Sequence, residues 1–343
     1  MSGTIGTGPA RRPSAPAPTG DFAPSGATRE KRIALWGAPK SGRTTFLGVL
    51  DQASEENCRT VEQVGSQGHR APGWKVLGED QATLDFLTEA RRRTTGRQGL
   101  FPERRKGLVR YRYLFRRRPR FEPWARISDR SRFVATVVDL PDLAAEHPAQ
   151  VRTEFDACTG LIYLFDPVPE AAEQLAEDLA AFEKVLKEAA RQQQYKMSAD
   201  QLLPQELAIC VTKIDDSGLF LAARRAGRVE LDKGGRIRVP DPEGFFRWAT
   251  DSTERPVNPA AGRLAKLLTD TFDPARTRFY ATSAAGFRAF PGHRVDPERC
   301  RNVGPRPARI EGRPRPQGII EPILAMRSVP TAETTNPPKT TKG

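Results

Sequence analysis

The chain has 343 residues, a mean hydropathy of −0.56 and a net charge of +13, and its 30 prolines and 28 glycines indicate long tails and loops. No apolar run approaches the roughly 18 residues of a transmembrane helix, and residues 1–29 lack the apolar segment of a secretory signal. The four cysteines lie far apart and match no zinc or redox spacing, so the sequence predicts a cytoplasmic protein without a disulfide scaffold.

Both ends of the chain are predicted to be disordered tails. Residues 1–29 and 329–343 consist largely of proline, alanine, glycine, serine and threonine, a composition that cannot bury a core. One ordered domain is therefore expected over residues 30–328.

Strands and helices alternate along this domain. Apolar runs between charged residues and glycine-rich turns are typical of buried parallel strands. Strands are predicted at 32–36, 108–116, 133–140, 161–165, 207–212 and 278–282. Helices are predicted at 44–52, 79–92, 169–196, 245–249, 259–268 and 319–326, with a Gly/Arg/Asp-rich insertion at 218–243. The alternation predicts an α/β fold, a three-layer sandwich with a mostly parallel sheet.

A glycine-rich segment, residues 37–45, follows the first strand. It fits the phosphate-loop (Walker A) pattern G-x-x-x-x-G-K-[ST] at every fixed position except the lysine, which is Arg43. The glycines let backbone N–H groups and a helix N-terminus surround a phosphate chain. The predicted phosphate-binding residues are Gly37, Lys40, Ser41, Gly42, Arg43, Thr44 and Thr45. Taken alone, the segment is also compatible with a glycine turn that only caps a helix.

A second motif, Thr212-Lys213-Ile214-Asp215, ends the apolar strand 207–212 and has the form [NT]-K-x-D. In guanine-nucleotide proteins this aspartate accepts two hydrogen bonds from guanine, and the lysine stem lies along the base. Alone, the pattern also fits a strand followed by a charged turn. Because it follows a phosphate loop in this chain, the pattern favours a guanine-binding site in which Thr212, Lys213 and Asp215 contact the base. A weaker match at 283–285 adds the backbone of Ser283 and Ala284.

Two acidic residues end other apolar strands. Asp139 stands where a D-x-x-G motif holds Mg²⁺ through water, so Asp139 and the hydroxyl of Thr44 are the residues predicted to hold the metal. Asp166, which precedes a proline, is predicted to form a turn or a helix cap, with a catalytic acid as the alternative.

The four motifs, at 37–44, 139–142, 212–215 and 283–285, occur in the order that resembles the translation-factor-related class of P-loop GTPases. Two further features, Gly-Leu-Phe-Pro at 99–102 and Tyr-Leu-Phe-Asp-Pro at 163–167, resemble the bacterial double-GTPase family of multi-gene conflict or signalling systems. The resemblance covers about residues 30–328. It implies a Ras-like domain with an antiparallel second strand that binds GTP or GDP and Mg²⁺.

The chain departs from this family pattern at positions that face the γ-phosphate. Arg43 replaces the lysine, Asp142 replaces the glycine of D-x-x-G, and Leu143 stands where many GTPases carry a water-positioning side chain. After Phe101-Pro102 the family tends to place a Mg²⁺-binding threonine, and here the residues are Arg104, Arg105 and Lys106. No residue is therefore assigned a catalytic role. Two functions stay open: a slow or partner-dependent GTPase, and a degenerate pseudo-GTPase scaffold that works through an arginine-rich surface.

The excess positive charge lies in one segment, residues 91–132, which holds 16 lysines and arginines against three acids, while the rest of the chain is balanced. The resemblance places the switch region here, and an acidic protein partner is the predicted ligand. Two alternatives are a charged edge strand that prevents sheet aggregation and a surface for nucleic acid or an anionic membrane.

Overall fold

The structure is a computed structural model that describes residues 29–64, 73–97, 99–103, 107–117, 132–140, 147–168, 172–192, 202–232, 235–251, 259–288, 302–304 and 309–328. The predicted tails lie outside the described residues, apart from Arg29. Asp142, Leu143 and the basic run 104–106 also lie outside them.

The first half of the domain contains the elements β1 (Glu30–Trp36), α1 (Arg43–Gly48), α2 (Leu50–Val64), β2 (Trp74–Gly78), α3 (Gln81–Thr95), β3 (Val109–Arg117), β4 (Arg132–Asp139) and α4 (Pro148–Asp156). The second half contains β5 (Gly160–Phe165), α5 (Ala172–Gln192), β6 (Glu206–Val211), α6 (Ser217–Arg225), β7 (Glu230–Leu231), β8 (Ile237–Arg238), α7 (Pro242–Thr250), α8 (Pro259–Thr271), β9 (Thr277–Ala281) and α9 (Glu321–Ala325).

Seven of these strands form one sheet in the order β2-β3-β4-β1-β5-β6-β9. Strand β1 runs parallel to β4 on one side and to β5 on the other, and β6 and β9 continue the parallel arrangement. Strand β3 is antiparallel to β4, and β2 is antiparallel to β3. The predicted mostly parallel sheet is confirmed, and its second predicted strand, at 108–116, is the antiparallel β3.

Helices cover both faces of the sheet. Strand β1 shows why, because Ile33 and Leu35 point to one face, Ala34 and Trp36 point to the other, and all four are fully buried. Apolar residues of α1, α2, α3 and α9 pack on the first face, and those of α4 to α8 pack on the second. The three-layer α/β sandwich is therefore confirmed.

Three segments differ from the sequence prediction. Strand β2 was not predicted, because its five residues lie in a polar stretch and only pairing with β3 makes them a strand. The helix expected at 44–52 is two helices that continue to Val64. The insertion at 218–243 is largely regular: Asp216 caps α6 through Leu219 N at 2.9 Å, and β7 and β8 form a hairpin.

The strand order places one set of loops together. Strands β2 to β4 lie on one side of β1, and the later strands β5, β6 and β9 lie on its other side. In open α/β sheets, ligands bind outside the carboxyl ends of the strands at such a switch in strand order. The residues that follow or end these strands are Gly37, Asp139, Asp166, Thr212 and Thr282. Among the described residues, no helix is long and apolar enough to cross a bilayer.

Candidate functional site

The glycine-rich loop lies between β1 and α1, and its backbone requires the glycines. Gly37 has φ +152°, and a Cβ there would lie 2.5 Å from the carbonyl oxygen of Leu164 and 2.6 Å from Ser41 Oγ. Gly42 has φ +95° and Lys40 has φ +67°, while Ser41 N donates to Ala38 O at 3.0 Å. Positive φ angles are favourable for glycine and strained for other residues, so the loop is a tight turn that the sequence specifies locally.

Two polar side chains of this loop, those of Ser41 and Lys40, lack partners within the described chain. Ser41 is 1% exposed, and its hydroxyl has no hydrogen-bond partner among the described residues. The Lys40 side chain is exposed, and in the part of the chain that the structure describes its ammonium contacts no acid. Thr44 and Thr45 are half-buried at the start of α1. Because buried polar groups in native proteins are nearly always hydrogen-bonded, the Ser41 hydroxyl indicates a place where an acceptor belongs.

Arg43 does not extend away from the loop. Its side chain is 6% exposed, its Nη1 donates to the carbonyl of Gly37, and its Nε lies 2.9 Å from Oδ1 of Asp139. The Asp139 carboxylate, at the end of β4, is 15% exposed. The fold thus brings together two residues that the sequence analysis took from separate motifs, and it joins them as a buried ion pair.

This ion pair bears on the predicted Mg²⁺ ligands. Mg²⁺ prefers octahedral oxygen ligands, but Asp139 Oδ1 is occupied by a guanidinium that keeps its charge at any physiological pH. Among the described residues, no group of three or more histidines, cysteines and acids is arranged to hold a metal ion. As arranged, this donor set does not fit Mg²⁺, and ligation by Thr44 and Asp139 stays a prediction.

The loop after β6 is fixed by hydrogen bonds to both neighbouring strands. Thr212 N and Oγ1 donate to the carbonyl of Phe165 at 2.8 and 3.2 Å, and Ile214 N donates to the carbonyl of Thr282 at 3.3 Å. Lys213 has φ +55°, a conformation uncommon for a residue with a side chain. The end of this strand is therefore anchored to β5 and to the loop after β9.

Asp215 in this loop is half-buried, and the loop after β9 hydrogen-bonds its carboxylate. Burial raises the pKa of Asp215 above its ordinary 3.8, and a hydrogen bond from the Ser283 hydroxyl offsets part of that rise. Gly286 N donates to Ser283 Oγ at 2.8 Å, which holds the serine in position. The structure therefore brings Asp215 and Ser283 together, and Ala284 follows half-buried in the same turn.

Asp166, at the end of β5, is a residue whose role the sequence analysis missed. Its carboxylate is 2% exposed, forms an ion pair with Lys213 Nζ and accepts a hydrogen bond from Val168 N at 3.0 Å. Burial raises the pKa of Asp166, and the charge of Lys213 lowers it in part. The expected turn is present through Val168. Because β5 and β6 are neighbours in the sheet, Asp166 also contacts Lys213. The sequence signal for this contact was an acid directly after one apolar strand and a lysine directly after the next.

A C-terminal segment, residues 309–318, packs against the loop after β9. Gln317 exchanges two backbone hydrogen bonds with Ser283, at 2.8 and 3.0 Å, and Arg315 N donates to the carbonyl of Ala285 at 2.8 Å. A Cβ on Gly286 would lie 2.5 Å from the carbonyl of Arg315, so the two backbones are in close contact. The segment supports Ser283 from the side away from β6.

Most described arginines of the basic segment have intramolecular acidic partners. Arg91 bonds Asp51 and Glu55, and the other pairs are Arg92–Glu89, Arg93–Glu103, Arg110–Glu154 and Arg112–Glu79. Three exposed arginines have no such partner in the described part of the chain: Arg97, Arg116 and Arg117. Arg118, Arg120, Phe121 and Trp124, which the sequence analysis included in this surface, lie outside the described residues.

A cavity of about 700 Å³ lies elsewhere, between α2, α3 and residues 309–313. Its walls carry charges of both signs, and these bond one another: Glu55 accepts from Arg91 and Arg313. The cavity is thus separate from the loops at the carboxyl ends of the strands.

No protein-family model matches the chain, and no curated protein matches it. Similar solved structures include the GTPase-like domain of S. cerevisiae Ski7 bound to GTP, with 13% identity, a TM-score of 0.35, and coverage of 75% of this chain and 43% of that chain. The same domain bound to GDP and inorganic phosphate has 11% identity, a TM-score of 0.31, and coverage of 75% and 44%. Sup35 complexed with GDP has 12% identity, a TM-score of 0.27, and coverage of 80% and 41%. The chain spans less than half the length of these structures, and similarity at this level carries no inference about what it binds.

Proposed function

We propose that this chain is a guanine-nucleotide-binding protein, with the phosphates in the loop 37–45 and the base between Lys213 and Asp215. The observation that carries the proposal is the half-buried Asp215 carboxylate, oriented by Ser283 at the edge where the phosphate loop also lies. An ionised carboxylate accepts two hydrogen bonds from guanine, whereas adenine lacks that donor pair. Adenine would therefore leave a desolvated acceptor unpaired.

Hydrolysis of GTP, in this proposal, is slow or depends on a partner. Phosphoryl transfer is accelerated mainly by positioning and charge neutralisation. The loop's cation, Arg43, is bonded to Asp139, and the sequence offers Asp142 and Leu143 in place of the family's glycine and water-positioning residue. Intrinsic turnover is expected to be no faster than the unassisted scale of about 10⁻⁴ to 10⁻³ s⁻¹.

The second candidate is a pseudo-GTPase scaffold, and the buried Arg43–Asp139 pair favours it. Such a protein binds nucleotide statically and acts through a surface. Arg97, Arg116 and Arg117, exposed and without an acidic partner in the described chain, are the groups that suit an acidic protein partner. The resemblance to the double-GTPase family leads us to place either activity in the cytoplasm, within a bacterial multi-gene conflict or signalling system.

Isothermal titration of the full chain with GDP, GTP and ATP tests the proposal. GDP and GTP are expected to bind about 100-fold more tightly than ATP, because two charge-assisted hydrogen bonds contribute roughly 1.5 kcal/mol each. Equal affinities for ATP and GTP would overturn the guanine assignment. A phosphate-release assay then separates the two candidates, since a scaffold releases none. A rate near about 1 s⁻¹ without a partner would contradict slow turnover.

A further inference from the structure

The Arg43 guanidinium occupies the space between the first residue of the phosphate loop and the acid at the end of β4. It is held at both ends, by the carbonyl of Gly37 and by Asp139 Oδ1 at 2.9 Å from Nε. The side chains of Arg43 and Asp139 are 6% and 15% exposed. The loop therefore contains its own permanently charged cation, covalently attached and close to where the nucleotide's phosphates would lie.

A divalent cation at Asp139 would compete with this guanidinium. Arginine is not deprotonated in proteins, so a change of pH does not release the carboxylate. A Mg²⁺ ion held by this carboxylate, directly or through a water, would lie near a like charge in a poorly solvated space, which is unfavourable. Displacing Arg43 would also break its hydrogen bond to the carbonyl of Gly37 and separate a buried guanidinium from its carboxylate.

The cationic groups around the loop are sufficient for a nucleotide's phosphates without a metal. Arg43 lies within the loop, and the exposed Lys40, at φ +67°, is free of acidic partners in the described chain. A guanidinium forms charge-assisted hydrogen bonds to phosphate oxygens as effectively as to carboxylates. Building on the proposed function, we propose that this protein binds guanine nucleotide without a divalent cation, with Arg43 standing in for the metal.

Titration of the full chain with GDP, in buffer with excess Mg²⁺ and in buffer with EDTA, tests this inference. The two dissociation constants are expected to agree within about twofold. Binding that weakens tenfold or more in EDTA would overturn the inference and leave the proposed function intact. Absence of GDP binding in both buffers would overturn the proposed function and this inference with it.

Arg43→Lys provides the matched variant, because the shorter side chain keeps the charge and releases Asp139. Its GDP affinity is expected to become metal-dependent, at least tenfold tighter in Mg²⁺ than in EDTA. Arg247→Lys, at an exposed pair with Glu243 on α7, is the control and should behave as the wild type does. If Arg43→Lys is also insensitive to Mg²⁺, Arg43 is not the substitute for the metal and the assignment fails.

A second measurement does not depend on the variant folding. In ³¹P NMR of GDP bound to the wild-type chain, added Mn²⁺ broadens phosphate signals strongly only where the cation binds at the phosphates. We expect the signals of bound GDP to broaden far less than those of free GDP, which itself chelates Mn²⁺, at the same Mn²⁺ concentration. Selective, saturable broadening of the bound signals would overturn the inference.

Discussion

The two halves of the candidate site, the phosphate loop and the loop that carries Asp215, stabilise their buried charges differently. At the phosphate loop, the buried guanidinium of Arg43 and the carboxylate of Asp139 lie side by side as an ion pair. At the other half, the Asp215 carboxylate accepts a hydrogen bond from the uncharged Ser283 hydroxyl. The nearby Lys213 forms its ion pair with Asp166 and not with Asp215. One half holds its cation beside a carboxylate, whereas the other holds an anionic acceptor through an uncharged donor.

This contrast indicates which half confers specificity. A paired guanidinium and carboxylate contribute structure, because breaking them exposes an unpaired buried ion. A carboxylate held by neutral donors is oriented and desolvated without losing its charge, which is suited to selecting a ligand with two N–H donors. We therefore expect changes at the phosphate half to affect folding first and changes at the base half to affect binding first.

The largest effect is expected from Asp139→Ala, which leaves the Arg43 guanidinium buried without its carboxylate. The free energy of unfolding should fall by about 3–5 kcal/mol, measured by urea denaturation of the unliganded chain. Asp270→Ala, which removes an exposed pair with Lys266, should leave the unfolding midpoint unchanged. A loss below about 1 kcal/mol for Asp139→Ala would mean that the pair is solvated and the contrast does not hold.

At the base half, Asp215→Asn should weaken GDP binding about 100-fold with little change in stability, because the amide cannot accept both guanine hydrogen bonds. Titration should also show improved binding of xanthosine diphosphate. Asp216→Asn is the matched control, since Asn caps α6 as Asp does. GDP affinity that is equal in the Asp215 variant and the wild type would remove this residue from the site.

Acid is expected to weaken GDP binding through the same carboxylate. Because burial raises the pKa of Asp215, this group takes up its proton at a higher pH than an ordinary aspartate, and the protonated form accepts guanine poorly. Affinity should fall by up to tenfold per pH unit below that raised pKa, in titrations from about pH 8 to about pH 4. Asp215→Asn, titrated in parallel, corrects for protonation of the phosphates and should lack this additional loss.

A smaller effect is expected from Asp166→Asn, about fivefold weaker GDP binding, because Lys213 loses the partner that positions its stem. The asparagine Oδ1 still accepts from Val168 N, so the turn is preserved. Glu183→Gln, at an exposed pair with Lys187 on α5, serves as the control for loss of one acid. An unchanged affinity for GDP would assign Asp166 to the turn alone.

The smallest effect on the domain itself is expected from changing Arg116 and Arg117 together to serine. Both are exposed without acidic partners in the described chain, so stability should change by less than about 0.5 kcal/mol and GDP affinity not at all. Pull-downs from the native host should lose an acidic protein. Recovery of the same proteins by variant and wild type would make this surface a solvated face without a partner role. A nucleic-acid partner would instead show a log–log salt slope of about one per phosphate contacted.

Much of the fold follows from the sequence because its signals are local. Buried strands such as β1 are continuous apolar runs, and the glycines at 37 and 42 have φ angles that few other residues adopt. The order of the four motifs, at 37–44, 139–142, 212–215 and 283–285, is likewise visible along the chain. Strand β2 was invisible because five residues in a polar stretch carry no periodic signal, and pairing with β3 decides their conformation.

The sequence by itself thus determined the layers, the mostly parallel character of the sheet and the residues that end its predicted strands. Only the tertiary structure decided which of those residues meet: Arg43 with Asp139, Lys213 with Asp166, and residues 309–318 with the loop after β9. The physical reason is that the partner of a charged residue at a strand end depends on which strands are neighbours in the sheet. Neighbouring strands bring together ends that are distant in sequence, and burial at that edge leaves each ion dependent on the one it meets.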